Sequence, residues 1–471
     1  MSHPPSPTDR PLWQWSACDL ASAIARRDLS AVQAVDAAVR RMREVNPKLN
    51  AVVEDLGDAA LQQAEAHDRQ FAAKGPLGPL HGVPLTIKEN VDQAGHATPN
   101  GVVAFKHIIA PADAPLVSNL RLAGAIVIGR TNTPEFSFRA TTDNELHGRS
   151  FNPWNDWASS GGSSGGASSA VMAGFDAIAH GNDIGGSLRY PAAATGAATV
   201  KPGLGRVPAY NPSATAERRL LAQIMSVQGV IAREVRDVRL AMQSLIRYDA
   251  HDPWMVPMPF EGPALPGPIQ VAFTRNTLDF ARHPAIDQAL DDARAALLDA
   301  GYQVVEVDAP VSQALARDAL GCLFGEAKAL MFDDVRKHGS PTINRIFDAY
   351  FEAYPPYEGK EQGFPLDPCG CSDEAGPHAS VALCGRASIA ASATTSPSAA
   401  VSASCCCVDS RSKLTGVALA RAIHTAKGSL HGRCRAGRTR SSVPLSIVPF
   451  SSQTPKVSGI SPGSATPAGS T

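Results

Sequence analysis

The strings SSGGSSGGASSA at residues 159–170, GNDIGGSLRYPA at 181–192 and KPGLGRVP at 201–208 decide how the rest of the chain is read. Glycine loses more backbone freedom on folding than any other residue. Such density therefore marks places where the chain turns with positive φ or comes very close to a neighbour. Ser163 lies in the first patch and Ser187 in the second. Together with Lys88 they form the constellation on which a functional reading rests.

Three readings of the first patch compete on the residues alone. Gly161-Gly162-Ser163-Ser164-Gly165 satisfies G-x-S-x-G, the nucleophile-elbow pattern, but that turn needs an apolar strand before it and PWNDWASS precedes it here. A phosphate-cradling loop is a second reading, without the Lys-Ser/Thr pair of a P-loop. A flexible Gly/Ser linker is the third, and the strand and helix signals close on both sides oppose it.

The second patch suggests a mechanism. Successive N–H groups of the turn Asp183-Ile184-Gly185-Gly186-Ser187 can converge on an oxyanion as it forms, with Ser187 as nucleophile. A serine hydroxyl needs a partner to take its proton. His180 ends an apolar strand and reads as packed or surface-exposed rather than catalytic. Lys88 serves better if it is desolvated and neutral, and Glu89 beside it points to the opposite face of a strand. Taken alone, a lysine is most often a solvated surface charge.

Outward from these loops the chain alternates helix and strand. Ser16 with Asp19 and Ser30 with Gln33 read as capping boxes. The first opens a helix to about Arg27, and the second a helix with Val32, Val35, Ala38, Val39 and Met42 on one face. NAVVED (50–55) reads as a strand and 58–73 as a helix. In HGVPLTIKEN (81–90), Val83, Leu85 and Ile87 alternate with Thr86 and Lys88, a strand that delivers a lysine to the sheet end. A helix and strand follow at 116–130, long loops to Trp157, then helix and strand at 167–180. Beyond lie an amphipathic helix at 237–248, strands at 268–273 and 302–309, and a helix at 284–301 between them. The alternation predicts an α/β fold with a mixed, mostly parallel central sheet covered by helices on both faces.

GVPLTIKEN, GGSSGGASSAVMAG, GNDIGGSLRYPAA and KPGLGRVP closely resemble the amidase signature family, in order from about Leu20 to Arg233, with the general layout continuing to about Ala353. The spacing from Ser163 to Ser187 equals the family's interval between its two catalytic serines. The resemblance implies a Ser–cis-Ser–Lys triad that hydrolyses amides. Ser187 would be the nucleophile, Ser163 the bridging serine in a cis peptide with Gly162, and Lys88 the base. The N–H groups of Ile184, Gly185, Gly186 and Ser187 would form the oxyanion hole. No metal or organic cofactor is implied. The implied partner is a small-molecule amide, with no direct nucleic acid, no membrane and a homodimer as an allowed assembly. The alternatives are the glutaminase subunit of a tRNA-dependent amidotransferase and an inactive amidase-like chain with an incomplete pocket. Ser160 stands where the family often has proline, and Ala167 where Ser or Glu is common.

Composition bounds these readings. The formal charge of −1 hides 40 acidic against 33 basic residues up to Gln362 and 4 against 10 beyond it. An acidic body argues against nucleic acid as the main partner. The N-terminal residues lack an apolar h-region and no long apolar run occurs, so a soluble cytoplasmic protein is expected. Of nine cysteines only Cys18 and Cys322 precede the tail, and no zinc spacing is found. Residues 1–362 read as the amidase signature domain, with a catalytic core at about 75–235. Residues 363–471 hold 20 serines, a Cys405–Cys407 triplet and clustered arginines. They fit a disordered Ser/Ala/Pro tail, or better a frameshift near Glu361 that translates the last quarter out of frame.

Overall fold

The computed structural model describes residues 10–355 apart from 216, 217, 265, 266, 279 and 310. The readings made for 363–471 lie outside the described residues. The described residues fall into two compact units, residues 265–310 forming the smaller.

The larger unit opens with helices α1 (Ala17–Arg26) and α2 (Ala31–Leu49). Ser16 Oγ accepts from Asp19 N, and Ser30 with Gln33 makes a reciprocal capping box that satisfies two otherwise orphaned donors. Strand β1 (Val52–Asp55) and helix α3 (Gly57–Lys74) follow. Next come β2 (Pro84–Lys88), α4 (Pro115–Leu122) and β3 (Ile126–Thr131). A ribbon of β4 (Phe151–Asn152) and β5 (Asn155–Ser159) leads to α5 (Gly165–Ala173) and β6 (Ile178–Asp183). Then α6 (Arg189–Thr195), β7 (Ala198–Thr199), α7 (Leu220–Met225), β8 (Val227–Ala232) and α8 (Val235–Leu245) complete the first stretch.

Six strands form one sheet in the order β1-β3-β2-β6-β8-β7. It is mixed, as expected, with its parallel pairs at the centre, β3 with β2 and β2 with β6. Among the described residues it is not mostly parallel, because three of its five pairings are antiparallel. The β1–β3, β6–β8 and β7–β8 pairs are antiparallel. All five residues of β2 are buried, as a strand covered on both faces requires.

The period-2 alternation of strands divides the core. Ile126 and Ile128 of β3 join Val35, Val39 and Met42 of α2 and Ala170 of α5 in one cluster. Val127 joins Leu20 and Ile24 of α1, Leu116 and Leu120 of α4, and Leu245 of α8 in another. Leu85 and Ile87 of β2 belong to the second cluster. Thr86 and Lys88 therefore take the α5 side. The hydrophobic pattern of β2 thus sends the lysine toward the first glycine loop.

Small residues let α5 sit close to the sheet. A Cβ at Gly166 would come within 2.7 Å of the Asn132 carbonyl oxygen and 2.6 Å of that of Ala51. No side-chain rotation relieves a clash with backbone.

In the smaller unit, β9 (Gln270–Phe273) and β10 (Gln303–Glu306) pair in parallel, with helix α9 (Pro284–Asp299) between them in the chain. The helix–strand alternation read for this stretch is present, in a two-stranded sheet of its own. The larger unit resumes with α10 (Gln313–Leu330), α11 (Phe332–His338) and α12 (Pro341–Ala353). Glu326 on α10 accepts from Leu221 N at the start of α7, and Ser340 donates to Glu135 through N and Oγ, at 2.9 and 2.6 Å.

Two expectations differ from the structure. The stretch to Trp157 is not loop throughout, since it holds the β4–β5 ribbon; its strands are too short and too exposed to alternate visibly. Helix α6, for which the sequence reading has no helix, starts directly after the glycine turn and carries Pro191 in its first turn, where proline is tolerated. No helix among the described residues is long and apolar enough to cross a membrane.

Gly166→Ala is expected to lower unfolding free energy by about 1–3 kcal/mol through overpacking, measured by denaturant titration. A variant as stable as the parent would refute the close approach.

Candidate active site

Lys88, the last residue of β2, has no exposed surface. Its Nζ donates to Ser163 Oγ at 2.7 Å, Asn182 Oδ1 at 2.8 Å and Ser164 Oγ at 3.2 Å. Burial penalises the ammonium and lowers the Lys88 pKa from 10.5 to about 7, against the opposing pull of the Asp183 and Glu89 carboxylates. Burial thus favours the neutral amine far more than at an exposed lysine. Glu89 is buried too, but it is turned away from Lys88: Oε1 accepts from Gly101 N and Oε2 lies 2.9 Å from His147 Nε2.

Ser163 is 1% exposed and follows a cis peptide bond from Gly162. Gly161 has φ +78°, and a Cβ at Gly162 would meet the backbone of residues 139–141. Both positions thus need glycine. Ser160, the departure from the family pattern, is buried and donates to the Ser150 carbonyl at 3.1 Å. The strand before the loop is the exposed ribbon strand β5 and not a buried central one, which removes the structural context of a nucleophile elbow at Ser163.

Ser187 is half-buried in the turn between β6 and α6. Its carbonyl accepts from Ser164 N at 3.3 Å. Its hydroxyl makes no hydrogen bond among the described residues. The structure therefore joins Lys88 to Ser163 and places Ser187 at the neighbouring turn without closing the Ser163–Ser187 link. Such links are often long before substrate is bound.

Asp183 shapes this turn. It is fully buried and accepts from Gly186 N at 2.7 Å and Leu188 N at 3.1 Å, and Arg189 grips it with Nε and Nη2, both at 3.0 Å. Burial by itself would raise this carboxyl, but the Arg189 and Gly186 donors outweigh it and hold it below the usual carboxylate range. The expectation of four oxyanion donors differs here from the structure: the Gly186 N–H already belongs to Asp183. Those of Ile184, Gly185 and Ser187 have no partner among the described residues. Gly186 itself has φ +125° and lies against the Tyr190 ring, which a Cβ would enter.

His180 is 1% exposed, and its role follows from its bonds. Nδ1 accepts from Lys88 N at 3.4 Å and Nε2 lies 3.0 Å from Gln228 Oε1. These partners suit the neutral tautomer protonated on Nε2, and burial lowers the ring's pKa to about 3. It fixes the backbone that carries the lysine and stays uncharged through the range in which Lys88 titrates.

Sequence reading missed Ser164, Asn182 and Asn90. Asn182 Nδ2 donates to Asn90 Oδ1 at 3.0 Å, and Asn90 Nδ2 donates to Ser137 Oγ at 3.0 Å. Lone asparagines carry no sequence signal; only the place of Asn182, one residue before Asp183, could have drawn notice.

A buried lysine on one serine, beside a turn that presents a second serine, brings a proton acceptor, two hydroxyls and unpartnered N–H donors together in one region. Residues 33–357 match the family model described as Amidase, and the chain belongs to the amidase signature family. It is 58% identical over 300 residues to the indoleacetamide hydrolase of Bradyrhizobium diazoefficiens, covering 64% of this chain and 57% of that protein. It is 32% identical over 304 residues to a subunit of the glutamyl-tRNA(Gln) amidotransferase of Heliobacterium modesticaldum, covering 64% of this chain and 61% of that one. Among solved structures it resembles fatty acid amide hydrolase, with TM-score 0.68 and 28% identity over 76% of this chain and 64% of that one. The chain thus spans about three-fifths of the length of these two curated relatives.

His180→Ala is expected to cost about 2–3 kcal/mol of stability, because it leaves a cavity and strands the Lys88 N–H. Denaturant unfolding measures this; a change below about 0.5 kcal/mol would contradict the structural role.

Proposed function

We propose that the chain hydrolyses a carboxamide C–N bond through an acyl-enzyme on Ser187, with Ser163 and Lys88 as the proton relay. The observation that carries this reading is the wholly buried Lys88 Nζ, 2.7 Å from Ser163 Oγ with its pKa lowered to about 7. A base poised near the working pH transfers protons most effectively.

Neutral Lys88 takes the Ser163 proton as Ser163 takes that of Ser187, and Ser187 Oγ attacks the amide carbonyl carbon. The negative charge that develops on the carbonyl oxygen is met by the free N–H groups of Ile184, Gly185 and Ser187. The C–N bond then breaks. The leaving nitrogen receives the proton from the Lys88 ammonium through Ser163, which restores the neutral amine. Water, deprotonated by the same relay, attacks the ester and releases the acid. Every proton is returned at the end of the cycle, with none left on Lys88, Ser163 or Ser187.

The substrate this reading favours is a small arylacetamide of the kind named for the relative at 58% identity. The Tyr190 ring beside Gly186 offers an aromatic face next to the turn. The amidotransferase reading has the weaker support, 32% identity. Hydrolysis without partner subunits tells the two apart. A homodimer is compatible with the proposed chemistry, which needs neither nucleic acid nor membrane.

Ser187→Ala is expected to lower kcat/KM on indoleacetamide by about 10⁴-fold or more, and Lys88→Met nearly as much. A fluorophosphonate should label Ser187 alone. Full activity in Ser187→Ala, or label on Ser163, would contradict the mechanism. In the parent protein kcat/KM should fall tenfold per pH unit below about 7, as Lys88 becomes charged. A rate unchanged down to pH 5 would contradict it.

A further inference from the structure

Lys88 Nζ has three oxygen neighbours, and a neutral amine has only two protons and one lone pair. As a base it must point the lone pair, and not a proton, at the hydroxyl it deprotonates. Which neighbour receives the lone pair follows from counting donors and acceptors.

Asn182 Oδ1 can only accept. Its orientation is set by the other end of the amide, where Asn182 Nδ2 donates to Asn90 Oδ1 at 3.0 Å. Asn90 is oriented in turn, because its Nδ2 donates to Ser137 Oγ at 3.0 Å and Ser137 Oγ donates to Asn100 Oδ1 at 2.6 Å. A flipped Asn182 would set its NH2 against the lysine and lose the bond to Asn90. Ser164 Oγ is also committed, since its proton lies toward the Asn182 carbonyl at 3.4 Å. It therefore accepts from the lysine. Asn182 and Ser164 take the two protons of the neutral amine, and the lone pair is left for Ser163 Oγ at 2.7 Å.

We propose that Asn182, held by Asn90, is a positioning residue that aims the Lys88 lone pair at Ser163 and keeps an uncharged acceptor against Nζ. The inference rests on the amidase reading above. An uncharged group matters here because the charged and titratable neighbours of Lys88 are already Asp183 from β6 and Glu89 just after β2, with His180 of β6 uncharged. The two carboxylates favour the ammonium, and a third at 2.8 Å would favour it far more strongly.

The test is the rate of fluorophosphonate labelling of Ser187 against pH, which reads nucleophile and base without an amide substrate. Asn182→Asp is nearly isosteric and puts a carboxylate on Nζ. Its acid limb is expected to move up by more than one pH unit, with labelling recovering toward the parent rate at high pH. Asn182→Ala leaves the lone pair undirected, so labelling should slow about tenfold or more at every pH. Asn90→Leu frees the Asn182 amide to flip without touching Lys88; the same uniform slowing is expected of it, and it serves if Asn182→Asp prevents folding. An Asn182→Asp limb that coincides with that of the parent, or parent rates in both Asn182→Ala and Asn90→Leu, would overturn the proposal while leaving the amidase reading intact. A parent protein whose Ser187 takes no label overturns the amidase reading, and this inference with it.

Discussion

The chemistry depends on one costly placement, a lysine amine with no exposed surface at the end of a central strand. An ammonium deprived of water is penalised heavily unless it is paired. Lys88 has no carboxylate among its hydrogen-bond partners, only two hydroxyls and an amide oxygen. The least costly response is to release a proton near neutrality, and a lysine that does so is a base. The rest of the site reads as a set of conditions that keep this lysine dry, unpaired by a carboxylate and aimed.

Each condition has an identifiable source in the fold. Dryness comes from the position of β2 between two sheet neighbours and between two helical layers, with α5 packed over the face that carries Lys88. Close cover by α5 requires Gly165 and Gly166 at its start, where side chains would strike neighbouring atoms. The nearby negative charges are occupied elsewhere, Asp183 by Arg189 and the turn, and Glu89 by Gly101 and His147. The same Asp183 that is kept from the lysine fixes the turn that bears Ser187, so one buried carboxylate serves both the proposed base and the proposed nucleophile. Breaking the Arg189 pair would disturb both at once.

Much of this was legible in the residues. The alternation of Leu85 and Ile87 with Thr86 and Lys88 put the lysine on the face away from one core cluster, and strand geometry leaves little freedom there. The dense glycines marked close backbone approach, which the structure places at Gly162 and Gly166. Helices α1 and α2 announced themselves through the capping serines Ser16 and Ser30, and α2 through its apolar periodicity as well. What stayed hidden was pairing that spans long sequence distances. Nothing in the chain's local pattern says that Asn182 meets Lys88, that Asn90 orients Asn182, or that the Gly186 N–H is held by Asp183. Nor does periodicity reveal that β9 and β10 make a sheet of their own, because a strand's pattern does not name its partner. The literal G-x-S-x-G match at Ser163 already lacked an apolar strand before it in the sequence, and the structure places the exposed ribbon strand β5 there.

The most direct measurement is an NMR titration of the Lys88 side chain in protein carrying ¹³C-labelled lysine, with the resonance assigned through Lys88→Met. A buried, dry amine should titrate near pH 7, several units below the ordinary value of 10.5. A midpoint near 10.5 would mean that Lys88 is an ammonium at neutral pH, and a lysine base at this site would then be contradicted.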